Sequence, residues 1–477
     1  MSPSRPSLTV APPRSVAERR EAPDRNGQAR RTDRGLDRGL EFAARVLGIA
    51  ATLAVALVFP PRELGLAAAL VGLAAVLAET ASSAGLRARG AAEDRRPSGD
   101  LPAWLATLTL AGGLVALVVI LRGELAVWLG AFEIERMLIL AMPLALVGAS
   151  ARVLRRSRVA RRVDPLVLLV GIAALGATLG LAAAGKGLTS LLVGAGVAVL
   201  GEGLRSLGGA RLAPSRRTAR ETLRVLHAAL ASLPLCAATA LMRRLDLFVV
   251  LACLGPDFAG AWCLARAVAL EPGRAVLGLV PAWRPRTLST ALARSPELGL
   301  IPWLAGLALL GPQLAHDLVG PRWDAAALLV RSLAGVGMAM LLANSAMRQL
   351  RRGSWTAGPS ILLALIASAA ALAGSEHFAT VLVGGVAALA TARLLRFALR
   401  GREHAASLAL VAAATACITA VTVLGLLGVR DLADAHGRPA GELLVLAFAV
   451  GVLLHGLTSL AWPLHGRRPR GWVRKTA

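Results

Sequence analysis

Six ionisable residues stand inside apolar surroundings where charge is expensive: Arg243, Arg244, Asp246, Arg266, Arg331 and Glu79. A charge in the hydrocarbon core of a bilayer costs at least about 2.5–3.5 kcal/mol, so it ordinarily faces a cavity or a partner. Arginine presents a planar fork that binds phosphate in a bidentate manner. Four arginines at one depth would therefore form an anion-binding patch, Arg243, Arg244, Arg266 and Arg331 being the candidate substrate contacts. Asp246 follows Arg243 by one helical turn and shares its face, which makes it the charge partner of Arg243, Arg266 or Arg331. Glu79 is either a protonatable coupling group or the partner of a rim arginine. The plainer reading of the same residues is structural ion pairing, or arginines extending their heads to the interface.

The elements that carry these residues are long apolar runs. A spanning helix needs roughly 20 predominantly apolar residues. Such runs occupy 42–60, 64–86, 101–121, 136–154, 165–184, 188–207, 222–250, 259–281, 298–319, 325–347, 358–375, 378–398, 405–428 and 441–463. They predict an all-α polytopic membrane protein of about fourteen transmembrane helices. Of the 477 residues, 56% are hydrophobic, and mean hydropathy is +0.63. A soluble domain holds about 45–50% apolar residues. Leu, Ala, Val and Gly dominate, and small residues let helices approach closely in lipid.

Charge placement sets the orientation. Arg87, Arg89, Arg95 and Arg96 follow the second run, Arg155 to Arg162 the fourth, and Arg211 to Arg220 the sixth. Arg284 and Arg286, then Arg351 and Arg352, then Arg400 and Arg402 follow the eighth, tenth and twelfth. The intervening loops are short and near neutral, as in Gly255-Pro256-Asp257 and Ser375-Glu376-His377. The positive-inside rule then puts the basic loops and both termini in the cytoplasm. Trp104, Trp128, Trp283, Trp323, Trp355 and Trp462 lie near run ends, where interfacial anchors belong. On this frame the four arginines are on the order of 10–18 Å from the outer boundary, at 1.5 Å per residue.

The net charge of +25 is thus spent on topology rather than on nucleic acid. Arginine carries nearly all of it, with Lys186 and Lys475 the only lysines, a usage that points to a GC-rich bacterial source. Cys236, Cys253, Cys263 and Cys417 all fall in apolar runs without metal-ligand spacing, so neither metal nor cofactor is expected. Residues 1–41 form a basic, polar cytoplasmic tail without a convincing cleavage site, and 464–477 form a second.

The chain also repeats itself. FPPRELGLAAALVGLAA places Pro61 and Gly65 as CLGPDFAGAWCLARAVA places Pro256 and Gly260. A second pair, WLGAFEIERMLILAM from Trp128 and LVGPRWDAAALLVRS from Leu318, recurs at a similar offset. Two such matches predict parallel six-helix halves, as in some transporters. The expected division is 42–207, 208–400, and two extra helices over 401–463.

These segments resemble the polysaccharide (Wzx-type) flippases of the MOP superfamily. Arg243 to Pro272, RRLDLFVVLACLGPDFAGAWCLARAVALEP, carries an Asp late in helix seven, a Leu-Gly-Pro turn, a Gly entering helix eight and a Leu-Ala-Arg run ending in Pro. Leu318 to Gly335 and Leu64 to Gly90 carry the rest of the likeness, which covers about 42–400. The chain departs from the pattern in Trp262, where Tyr is usual, and in Arg243-Arg244 before the Asp. The resemblance implies a MATE-like two-lobe bundle in the bacterial inner membrane, and a transporter rather than an enzyme. Its substrate would be a polyprenyl-diphosphate-linked oligosaccharide or related glycolipid, moved by alternating access. The implied partners are membrane lipids and a glycan polymerase or glycosyltransferases of the same pathway. The alternatives are a membrane glycosyltransferase or polymerase, a MATE-type exporter, or a non-transporting scaffold. The short outer loops disfavour the enzyme, and the excess of deep positive charge disfavours export of organic cations.

Overall fold

The computed structural model describes residues 46–93, 100–157, 166–207, 218–279, 300–350 and 358–399, with scattered positions at 40–44 and 405–431. The described residues are helical and contain no strand. Among the described residues, eight helices are long and apolar enough to cross a membrane. Bilayers force this choice, because a spanning segment must satisfy its backbone hydrogen bonds internally. The protein is an all-helical, multi-pass membrane bundle.

The helices are α1 (Val46–Val58), α2 (Pro61–Glu93), α3 (Asp100–Ile120), α4 (Arg122–Trp128), α5 (Glu133–Ser157), α6 (Leu166–Ala183) and α7 (Leu188–Leu207). Then follow α8 (Thr218–Met242), α9 (Leu245–Leu279), α10 (Leu300–Val319), α11 (Asp324–Leu350), α12 (Gly358–Leu372) and α13 (Ser375–Ala398). Each apolar run from 42–60 to 378–398 has helix in its place. The run 441–463, most of 405–428, both predicted tails and most arginines of the basic loops lie outside the described residues.

Three local features differ from the sequence expectation. The turn expected after the third run is a short helix, α4, tied at its start by Arg122 to Glu135 at 3.4 Å. The seventh run stops at Met242, and Arg243-Arg244 form a tight turn closed by Arg244 N–H to the Leu241 carbonyl at 2.9 Å. Trp323 is no interfacial anchor: it is fully buried, and its indole N–H donates to the Ala56 carbonyl at 3.0 Å.

The reversals are written in Gly-Pro. Gly255 has φ 86° and ψ 174°, and Gly320 has φ 91° and ψ 168°. Glycine alone takes this positive φ without strain. The extended ψ suits the residue before a proline, and Pro256 or Pro321 then opens the next helix, where its missing N–H costs nothing. The run Leu245–Leu279 is therefore two helices hinged at Gly255. The Asp246–Arg266 ion pair requires it, since in one straight helix these residues would stand roughly 30 Å apart.

The two hairpins that repeat in sequence meet in space. A Cβ on Gly65 would lie 2.0 Å from the Pro256 carbonyl oxygen, and one on Gly260 would lie 1.9 Å from that of Pro61. The contact is reciprocal, glycine of one hairpin against proline of the other. Without a hydrophobic force between helices in lipid, such close approach is what packing relies on. α2 is the most enclosed span and α6 the least, 67% against 6% buried. α2 packs on α3, α5, α7, α8 and α9, and so stands at the centre. Partners recur along the chain: α2 with α5, α5 with α7 and α6 with α7, then α9 with α11, α11 with α13 and α12 with α13.

Candidate functional site

Pro61, Gly130, Gly255, Gly320 and Gly374 turn the chain at one end of the bundle, the hairpin end. Asp246 and Arg266 lie on either side of the Gly255 reversal, roughly 14–16 Å along their helices. Glu79 on α2 and Arg152 on α5 lie further on, roughly 27–29 Å from the starts of those helices. The hydrocarbon core is about 30 Å thick, so Asp246 and Arg266 lie near mid-depth, and Glu79 and Arg152 lie nearer the far end of the bundle.

The most buried of these groups is the best held. Asp246 is 1% exposed, and its Oδ2 accepts from Arg266 Nη1 and from Trp262 Nε1, the latter at 3.2 Å. Trp262 is itself fully buried, edge-on to Phe378 with centroids 5.4 Å apart. The ring contact fixes the indole, and the indole fixes the carboxylate. Asp246 Oδ1 has no hydrogen-bond partner among the described residues.

The second pairing crosses the chain. Arg243 Nη1 donates to Glu79 Oε1, and Arg152 Nη1 lies 3.8 Å from Glu79 Oε2. Arg152 also donates to the Ala75 carbonyl one turn earlier on α2, at 3.3 Å. The side chains of Arg243 and Arg152 stay 42% and 39% exposed, while Glu79 is 19% exposed. Arg244 stands within electrostatic reach of Arg152, Glu79, Arg266 and Asp246. Three guanidiniums thus pair with two carboxylates, and that of Arg244 lies within electrostatic reach of both acids, an excess of two formal positive charges (four minus two).

Of the candidates from sequence, the structure gathers Arg243, Arg244, Arg266, Asp246 and Glu79. It leaves Arg331 apart: that residue is exposed on α11, and no described contact joins it to the cluster. Sequence reasoning missed Arg152. It lies inside the run 136–154, one turn before Arg155, and passes for the first residue of a basic loop. It also missed the Trp262 N–H, visible only as the place where the chain departs from the family pattern. Among the described residues no group of three or more His, Cys, Asp or Glu is placed to hold a metal ion.

The bundle and its internal cationic cluster define a class: a polytopic helical membrane protein whose ionisable residues sit within the span and pair across helices. One solved structure that it resembles is a lipid II flippase, MurJ, in an inward closed conformation. The two share a TM-score of 0.61 and 12% sequence identity, over 91% of this chain and 100% of that one. The likeness is one of fold. No protein-family model matches the chain, and no curated protein sequence does.

Proposed function

We propose that the protein is a flippase for a lipid-linked glycan, carrying a polyprenyl-diphosphate oligosaccharide or related glycolipid across the bacterial inner membrane. The observation that carries this reading is the cluster itself: four arginines with two carboxylates, inside a bundle that shares its fold with a lipid II flippase. Guanidiniums held within the span suit a diphosphate head group, whose bidentate contacts they match. The same excess of positive charge repels an organic cation. In this reading the lobes are 42–207 and 208–400, followed by two helices over 401–463. They rock about their contact to expose the cluster to each face in turn, while the lipid tail stays in the bilayer. Arg243, Arg244 and Arg266 hold the phosphates, joined by Arg152, and Arg331 contacts the substrate nearer the outer face. Both termini are cytoplasmic, and glycosyltransferases or a polymerase of the same pathway supply and consume the substrate.

The test is reconstitution. Purified protein in liposomes is given a fluorescent polyprenyl-diphosphate sugar, and transfer is read by quenching from one side. Wild type moves the lipid. Arg266→Lys keeps the charge opposite Asp246 but loses the fork, and lowers the rate about ten-fold or more with the fold intact. A wild-type protein that leaves the lipid where it began, in liposomes of either orientation, ends this reading.

A further inference from the structure

The two carboxylates of the cluster are not equivalent. Asp246 is buried, holds Arg266 from the same hairpin, and accepts from the buried Trp262 N–H. Moving it aside would orphan an indole N–H and a guanidinium together, each then left buried without its acceptor. Glu79 has no such anchor. The groups it meets are Arg243 and Arg152, and both keep open surface. Each guanidinium carries about five N–H donors, far more than one carboxylate can accept. An incoming anion with several oxygens therefore displaces Glu79 on favourable terms, whereas at Arg266 it can only add to the donors that Asp246 leaves free.

The location of the Glu79 pair gives this competition a consequence. Glu79 and Arg152 belong to the first half of the chain, on α2 and α5, and Arg243 belongs to the second, in the break between α8 and α9. Among the described residues, Arg243–Glu79 is the ion pair of the cluster that joins the two halves; Arg266–Asp246 lies within one of them.

We infer that Glu79 is the exchangeable counter-ion of the site and a latch between the halves. A phosphate-bearing ligand takes its place on Arg243 and Arg152, and the exchange unfastens α2 from the α8–α9 break. The inference rests on the cluster being the anion site of the proposed function. It adds which acid yields, and it ties ligand occupancy to the relative freedom of the halves.

The experiment uses the full chain in nanodiscs, with spin labels on cysteines replacing Ile120 of α3 and Leu372 of α12, both strongly exposed, and the native cysteines replaced by alanine. The probes are geranylgeranyl diphosphate and inorganic diphosphate. In the otherwise wild-type chain, geranylgeranyl diphosphate adds a second inter-label distance population. Glu79→Gln shows that population without ligand and binds the probe about ten-fold tighter. Arg243→Gln shows it as well, but binds more weakly, a split that a merely structural role for the pair would not produce. A shift with geranylgeranyl diphosphate alone assigns the ligand to a lipid head group; a shift with inorganic diphosphate too makes the head-group chemistry sufficient. If the probe binds and Glu79→Gln is no tighter, or the distances do not move, the latch is wrong while the anion site stands. If neither probe binds wild type, the anion site falls and takes the latch with it.

Discussion

At the scale of single side chains, Asp246 should matter to stability and Glu79 to ligand exchange. Asp246→Ala removes the partner of a mostly buried arginine and the acceptor of a buried indole. Breaking a buried pair from one side costs about 3–5 kcal/mol; Arg266 is 23% exposed, so the low end applies. Asp246→Asn keeps an oxygen for the Trp262 N–H and should lose about half as much. Thermal melting of the two variants in one detergent checks the order, and equal losses would remove the indole from the account. The candidates themselves were legible as charges intruding on apolar runs. Their pairing was not. Which acid meets which arginine depends on the reversal at Gly255 and on the break at Arg243-Arg244. Arg152 was hidden by its neighbours, because one arginine before a basic loop reads as part of the loop.

Among the elements, the glycines of the two hairpins make the sharpest prediction. Gly65→Ala and Gly260→Ala each press a methyl group onto the partner's backbone carbonyl, which no rotamer change relieves. Each should lower stability by about 1–3 kcal/mol or more. The double variant should lose less than the sum, because helices already forced apart admit the second methyl group. Gly113→Ala on α3 is the control: nothing lies within 4 Å of its new Cβ, and alanine favours helix by about 0.5–1 kcal/mol. Additive losses in a melting series would mean that the two glycines do not share one contact. The repeat was visible in the Pro-to-Gly spacing, and so were the turns, because Gly-Pro specifies its own geometry. The contact between the repeats was not visible, since spacing along a chain says nothing about which copies touch. Trp323 misled for a similar reason: proximity to a run end fits an anchor and a buried plug equally well.

For the whole molecule, the expected outcome concerns sidedness. In a cysteine-free background, Asp257→Cys or His377→Cys should react with an impermeant maleimide added outside intact cells, and Arg96→Cys only after the membrane is opened. A short near-neutral loop reached only from the cytoplasm would overturn the orientation. The helix bundle was legible from hydropathy because twenty apolar residues have few other places to go. The packing order was not, for in a membrane every face of a helix is apolar and periodicity no longer marks the inside. One feature of that packing bears on mechanics. Gly65 is locked against the other hairpin close to one end of α2, a helix of 33 residues. From there to Glu93 is roughly 42 Å at 1.5 Å per residue. With the fulcrum so near one end, α2 is a lever: a tilt of about 10° at Gly65 carries the far tip about 7 Å along that arm. Glu79, partway down, travels about half as far, enough to part a carboxylate from a guanidinium.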